Sequence, residues 1–164
     1  MDDFVYLESM EKAFDNCLKN NLELDSKAYQ MIAAIGVMFT IQSTVLIYLN
    51  SHFNFNLINI LILFFSISSL IEYFFSIVNF ISVIDVKSFK SLPSSNAIVD
   101  YYEKEYNKEK YIATMLGNYQ DVINNNEGIV SDKGLKSVQG FHDFKFGLLF
   151  FFISIIFIVM GVFI

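Results

Sequence analysis

The chain reads as an all-α integral membrane protein, and three observations predict it. Of its 164 residues, 54% are hydrophobic and only 17% charged, and the mean hydropathy is positive. That places it outside ordinary soluble composition. Three apolar stretches, at 28–49, 57–84 and 146–164, each come to roughly the 20 residues that a helix needs to cross a hydrocarbon core. One Pro and seven Gly leave few helix breakers, and the apolar runs lack the alternation of a lipid-facing barrel strand. The expected order is an amphipathic helix (1–27), a transmembrane hairpin (28–86, with spans 28–49 and 57–84), a cytoplasmic helical hairpin (87–143) and a third transmembrane helix (144–164).

The first element places Phe4, Leu7, Met10, Phe14, Cys17 and Leu18 on one face of a helix and Asp3, Glu8, Lys12, Asp15 and Lys19 on others. Its polar face is more acidic than basic, so packing on protein is expected rather than on anionic lipid. The chain begins Met-Asp-Asp without a basic n-region, so no cleaved leader is expected. Asn20-Asn21 is expected to interrupt this helix, with Asp25 or Ser26 capping the next. Cys17 is the only cysteine, which excludes an intrachain disulfide and reads as a small buried thiol.

In the first span Gly36, Thr40 and Thr44 recur every four residues, with Ala33 and Ser43 beside them. Such small-residue seams let helices approach closely in lipid, and Gln42 at the same depth needs a hydrogen-bonding neighbour. Ser51 to Asn56 forms a short outer turn, so the first two spans run antiparallel. His52 stands alone there, which makes a metal site improbable.

The second span carries the clearest functional signal. Stepping by threes and fours from Asn59 through Ile62 gives Ser66, Ser69, Glu72, Ser76 and Asn79, one hydrophilic face on an otherwise Ile, Leu, Phe and Val helix. Lipid cannot hydrogen-bond these groups, so the stripe should face partner helices or a water-filled path. Residues 57–84 extend about 42 Å and put Glu72 about 22 Å from Leu57. A carboxyl there either snorkels or sits protonated, or else it lines a pore or ligates a cation.

All eleven basic residues are Lys. Lys27 precedes the first span, Lys87 and Lys90 follow the second, and Lys133, Lys136 and Lys145 precede the third, while 50–56 has none. The positive-inside rule therefore puts the N-terminus and the long middle segment in the cytoplasm and the C-terminus outside. Within that segment Pro93 marks a break, Ser95 or Asn96 can cap a helix over 97–125, and Ile112, Leu116, Tyr119 and Ile123 share a face. The Tyr and Lys tract at 101–111 is balanced by Glu103, Glu105 and Glu109 and reads as a solvated helix. Asn124 to Gly128 is expected to be the bend of the cytoplasmic hairpin, and Gly134, Gly140 and Gly147 mark close packing or flexing beyond it.

No P-loop, dinucleotide fingerprint, nucleophile elbow or paired Cys/His ligand spacing is present, so neither catalysis nor a metal or organic cofactor is expected. His142 and Asp143 are adjacent and project in different directions from a helix. A net charge of −6 argues against nucleic acid as a partner.

Leu24-Asp25-Ser26-Lys27-Ala28-Tyr29 leading into Ile35-Gly36 resembles the entry to the first span of bacterial Pycsar membrane effectors and related small anti-phage effectors. Tyr119-Gln120-Asp121-Val122-Ile123, then Asn126, Ile129, Lys133 and Leu135, resembles their later helical arm. About 40 residues carry this likeness, and the layout of two spans, a cytoplasmic insert and a final span is similar. The resemblance implies an oligomeric inner-membrane effector that breaches the bilayer when a cyclic nucleotide signals infection, with the cytoplasmic hairpin sensing and the spans responding. Lys133 and Lys136, with Asn126 and Tyr119 nearby, are the cations and polar groups placed to meet a phosphate, since Arg is absent. The competing expectation is a non-conducting binding or immunity protein that docks a partner through its cytoplasmic helices. In that case the stripe only holds helices together.

Overall fold

The computed structural model describes residues 3–51, 56–85, 89–93, 99, 103 and 108–163. Three long helices dominate them: α1 (Asp3–Ser51), α2 (Leu57–Ile84) and α3 (Lys108–Phe163). Each contains a stretch long and apolar enough to cross a membrane, and the regular structure among the described residues is all helical. The turn with His52, the caps proposed at Ser95 and Asn96, Lys87 and most of the tract at 101–107 lie outside the described residues.

α2 has the bounds its apolar run predicts. Asn56 caps it, its Oδ1 accepting from the backbone N–H of Asn59 at 2.8 Å, which satisfies a donor that the first turn leaves without a helical partner. The expected breaks in the other two helices do not form. α1 runs without interruption through Asn20-Asn21, and Ser26 sits mid-helix, where its hydroxyl accepts from Gln30 at 3.3 Å instead of capping. α3 runs straight through Asn124–Gly128, so the expected hairpin bend is absent. The physical reason is a difference in size. An exposed mid-helix Gly costs only about 1 kcal/mol relative to Ala, and Asn only a fraction of that, which tertiary packing easily outweighs.

The chain divides into two compact units. One comprises Met1–Leu24 and Val86–Lys133. Its core gathers Met115, Tyr119 and Ile123 of α3, with Leu7, Met10, Ala13 and Phe14 of α1 and Leu92 packed against them. Phe14 meets Tyr119 edge to face at 6.2 Å between ring centroids.

The other comprises Asp25–Asp85 and Gly134–Ile164. Its α2 buries Ile62, Ser66, Ser69, Tyr73, Ser76, Phe80 and Val83, alternating steps of four and three. That 3.5-residue period is the signature of coiled-coil packing. α1 buries Ala28, Ile35 and Gln42, and α3 buries Gly140, Gly147 and Ser154, both at sevens. The outer face of α2 is apolar instead: Ile60, Phe64, Ile67, Ile71, Phe74 and Ile81 are 46–61% exposed. Serines inside and phenylalanines outside invert the soluble pattern, as expected where small polar residues join helices in lipid.

Candidate functional site

The polar stripe of α2 splits in two. Ser66, Ser69 and Ser76 are buried within the unit, at 0–1% exposure. Gln42 of α1 is buried with them; its Nε2 donates to the carbonyl of Ser66 at 2.7 Å, and its Oε1 accepts from Ser69 Oγ at 2.9 Å. Ser69 Oγ also lies 2.7 Å from the carbonyl of Gly147 on α3, so its single proton is shared between two acceptors. One heptad along, Ser76 Oγ donates to the carbonyl of Gly140 at 2.7 Å. Ser66 Oγ is buried without a partner among the described residues. Ser69 and Ser76 through their hydroxyls, and Ser66 through its carbonyl, join the three helices of one chain.

The contacts are this short because of the glycines. A Cβ on Gly140 would lie 2.9 Å from the Phe80 ring, and one on Gly147 2.5 Å from the Tyr73 ring. Only glycine at those two positions lets the α2 rings lie across α3 and the serines reach its carbonyls. Tyr73 also packs on Phe144 and Phe80 on Phe141.

Asn59, Glu72 and Asn79, expected on the same stripe, are half-buried. A helix packed at 3.5 residues per turn steps from Ser69 to Tyr73 and from Ser76 to Phe80, which leaves Glu72 and Asn79 on the edge. Asn79 Nδ2 donates to Asp143 Oδ2 at 2.7 Å, and His142 Nδ1 lies 3.8 Å from the other carboxylate oxygen. Glu72 meets no hydrogen-bond or ion-pair partner among the described residues. It is the one ionisable member of the stripe, and with the Ser66 hydroxyl it is left without a partner among the described residues.

Among the described residues, nothing packs on the seam of α1 at Gly36. Gly36, Thr40 and Thr44 are exposed, on the side opposite Ile35 and Gln42, and nothing lies within 4 Å of a Cβ built on Gly36. Thr40 and Thr44 donate to the carbonyls of Gly36 and Thr40, each at 2.9 Å.

The residues singled out for a phosphate do not assemble into a site. Tyr119 belongs to the core and Lys133 is 5% exposed. Asn126 is fully buried, and its amide clamps the backbone of Lys90: Oδ1 accepts from the N–H and Nδ2 donates to the carbonyl, both at 3.0 Å. Only Lys136 is exposed. Tyr119, Asn126 and Lys133 recur at sevens, and that spacing is the signal in the sequence for an interior seam. The Lys90 side chain reaches Asp121 at 2.9 Å, and segments 1–24 and 86–133 together hold thirteen acidic residues against eight lysines. That unit is a poor attractor for anions.

Cys17 lines a cleft of about 380 Å³ with Ala13, Asn16, Asn20, Glu127, Val130 and Ser131. Burial pushes its thiol pKa up, and the Glu127 carboxylate adds to the shift. Because the thiolate is the nucleophile, Cys17 in the native protein is expected to react with a maleimide far more slowly than in denaturant, with the rate climbing at a pH above that of an ordinary thiol. Equal labelling rates with and without denaturant would contradict the buried assignment.

No family model, curated protein or solved structure matches this chain.

Proposed function

We propose that the chain is an oligomeric effector of a bacterial inner membrane, with its N-terminus in the cytoplasm, that permeabilises the bilayer when triggered. The observation that carries this reading is Glu72, a carboxyl about 22 Å along an apolar helix and without a partner among the described residues of its own chain. An acid held at that depth is costly unless it meets another helix or water, and a single chain offers three spans, too few to enclose a wide aqueous path. The resemblance to Pycsar effectors supplies the anti-phage setting and a nucleotide trigger. The cytoplasmic parts named by that resemblance are then the 1–27 segment of α1 and the 87–143 segment. The acidity of the unit containing most of them favours a relay protein over direct capture of a phosphate.

A second reading is favoured by a specific observation. Ser66, Ser69 and Ser76 are buried among the helices of one chain, as a non-conducting membrane anchor that docks a partner would require. Membrane potential and dye entry after induced expression separate the two. The effector reading expects depolarisation that Glu72→Gln abolishes and Ser68→Ala leaves intact, with all variants equally resistant to alkaline extraction from membranes. Depolarisation by Glu72→Gln equal to that of the parent removes the role of the carboxyl. A parent protein that neither depolarises nor leaks dye leaves the docking reading in its place.

A further inference from the structure

Two features on the surface of the 25–85 and 134–164 unit have no counterpart within it among the described residues, and they lie at the same level. The first is Glu72. The serines and the asparagine beside it are already bonded elsewhere, Ser68 to the Phe64 carbonyl, Ser69 to Gln42 and Gly147, Ser76 to Gly140, and Asn79 to Asp143, while the unpartnered Tyr73 hydroxyl is buried inside the unit. The second is the outer face of α1 at Gly36, Thr40 and Thr44, where small side chains sit beside Val37, 60% exposed.

Their levels follow from the hairpin. Gln42 lies nine residues before the end of α1 and bonds to Ser66, nine residues into α2, so the two helices run antiparallel and one step back along α1 matches one step forward along α2. With Gln42 level with Ser66 to Ser69, Thr40 is level with the Ser68 to Ser69 turn and Gly36 with the Glu72 to Tyr73 turn. Copies assembled about an axis normal to the bilayer keep every residue at its own depth. One copy's Glu72 edge therefore arrives at the depth of the next copy's Gly36–Thr40 face.

We infer that copies of this chain associate side to side, the Glu72 edge of one packed on the Gly36, Thr40 and Thr44 face of the next. The occupant is a second copy because it brings what the carboxyl lacks. Gly36 lets a helix approach closely, and the Thr40 hydroxyl beside it offers a proton to a carboxylate or, while bonded to the Gly36 carbonyl, a lone pair to a carboxylic acid. Because the two faces differ, the contact is heterologous and closes into a ring or continues into an array, while a two-fold pair would join like faces.

The inference rests on the membrane placement proposed above but not on permeation, and disulfide trapping tests it separately. Two differently tagged full-length copies carry Cys17→Ser, one with Thr40→Cys and the other with Ser68→Cys. They are co-expressed, and isolated membranes are oxidised. A mixed dimer is expected, with little product from Thr40→Cys or Ser68→Cys alone. Adding Gly36→Leu to the first copy, at a position where an added Cβ has no described atom within 4 Å, is expected to abolish the mixed dimer, and Glu72→Leu in the second to reduce it strongly. Trapping confined to Thr40→Cys with itself would show a two-fold pair through α1 and overturn the inference. So would no trapping in any mixture, or a mixed dimer indifferent to both leucines. A trapped mixed dimer with no depolarisation in cells would keep the contact and discard the effector reading.

Discussion

Gly147→Ala is expected to destabilise the protein, and Gly128→Ala to stabilise it, although both replace a mid-helix glycine in α3 by the better helix former. Alanine gains about 1 kcal/mol over glycine wherever its methyl group is free. At Gly128 it is free, since nothing lies within 4 Å of the added carbon. At Gly147 the methyl group would sit 2.5 and 2.6 Å from two carbons of the Tyr73 ring. Tyr73 is fully buried and backed by Phe144, so the ring cannot swing away and α2 and α3 must separate. Separation also stretches the 2.7 Å contact between Ser69 Oγ and the Gly147 carbonyl. Overpacking of this kind costs about 1–3 kcal/mol. With the clash against an enclosed ring near the upper end and the helix gain subtracted, a net loss of about 1–2 kcal/mol remains. In a chain of this length that corresponds to a midpoint about 3–6 °C lower, measured by circular dichroism in detergent. Tyr73→Val, which vacates the ring's place, should recover part of the loss in the double variant. If Gly147→Ala melts with or above the parent, the ring contact does not set the helix spacing.

Much of the architecture was legible because lipid demands it. Apolar length alone located three helices long enough to cross a membrane, and the bounds of α2 follow from Asn56 and the run behind it. The site is harder to read because an unsupercoiled helix equally allows the steps of three to Glu72 and Asn79. Packing against two neighbours selects the steps of four to Tyr73 and Phe80, and aromatic rings at those positions fill the space over Gly147 and Gly140. The same periodicity accounts for the placement of Tyr119, Asn126 and Lys133. Tyr119, Asn126 and Lys133 carry polar groups, which drew a ligand reading, yet their sevenfold spacing continues into Gly140, Gly147 and Ser154 along one helix. Asn124 to Gly128 looked like a turn because Asn side chains compete for backbone groups in sequence-local geometry. Asn126 satisfies that appetite at Lys90, thirty-six residues away. No pattern within α3 announces such a partner.

Asn126→Ala is expected to release the segment around Lys90. The amide of Asn126 makes the two hydrogen bonds to the Lys90 backbone, and its side chain is fully enclosed. Truncation leaves a backbone donor and acceptor facing a gap that cannot answer them, at a cost of about 1–3 kcal/mol. The ion pair between Lys90 and Asp121 does not compensate, because both side chains are largely exposed, at 48% and 73%. Such a pair contributes about 1 kcal/mol at most, so Asp121→Asn should change little. The loss is local, and limited trypsin digestion with cleavage at Lys90 assigned by mass spectrometry reads it directly. While opening and closing are fast relative to cutting, the rate follows the open population, and 1.4–2.7 kcal/mol raises it about 10- to 100-fold. Asn126→Asp keeps the acceptor for the Lys90 N–H but loses the donor to its carbonyl, so an intermediate rate is expected. Asn125→Ala removes only a 3.2 Å contact to the Asn126 oxygen and should digest like the parent. Cleavage of Asn126→Ala at the parental rate would mean that the segment is held by Leu92 in the Tyr119 core and not by the amide clamp.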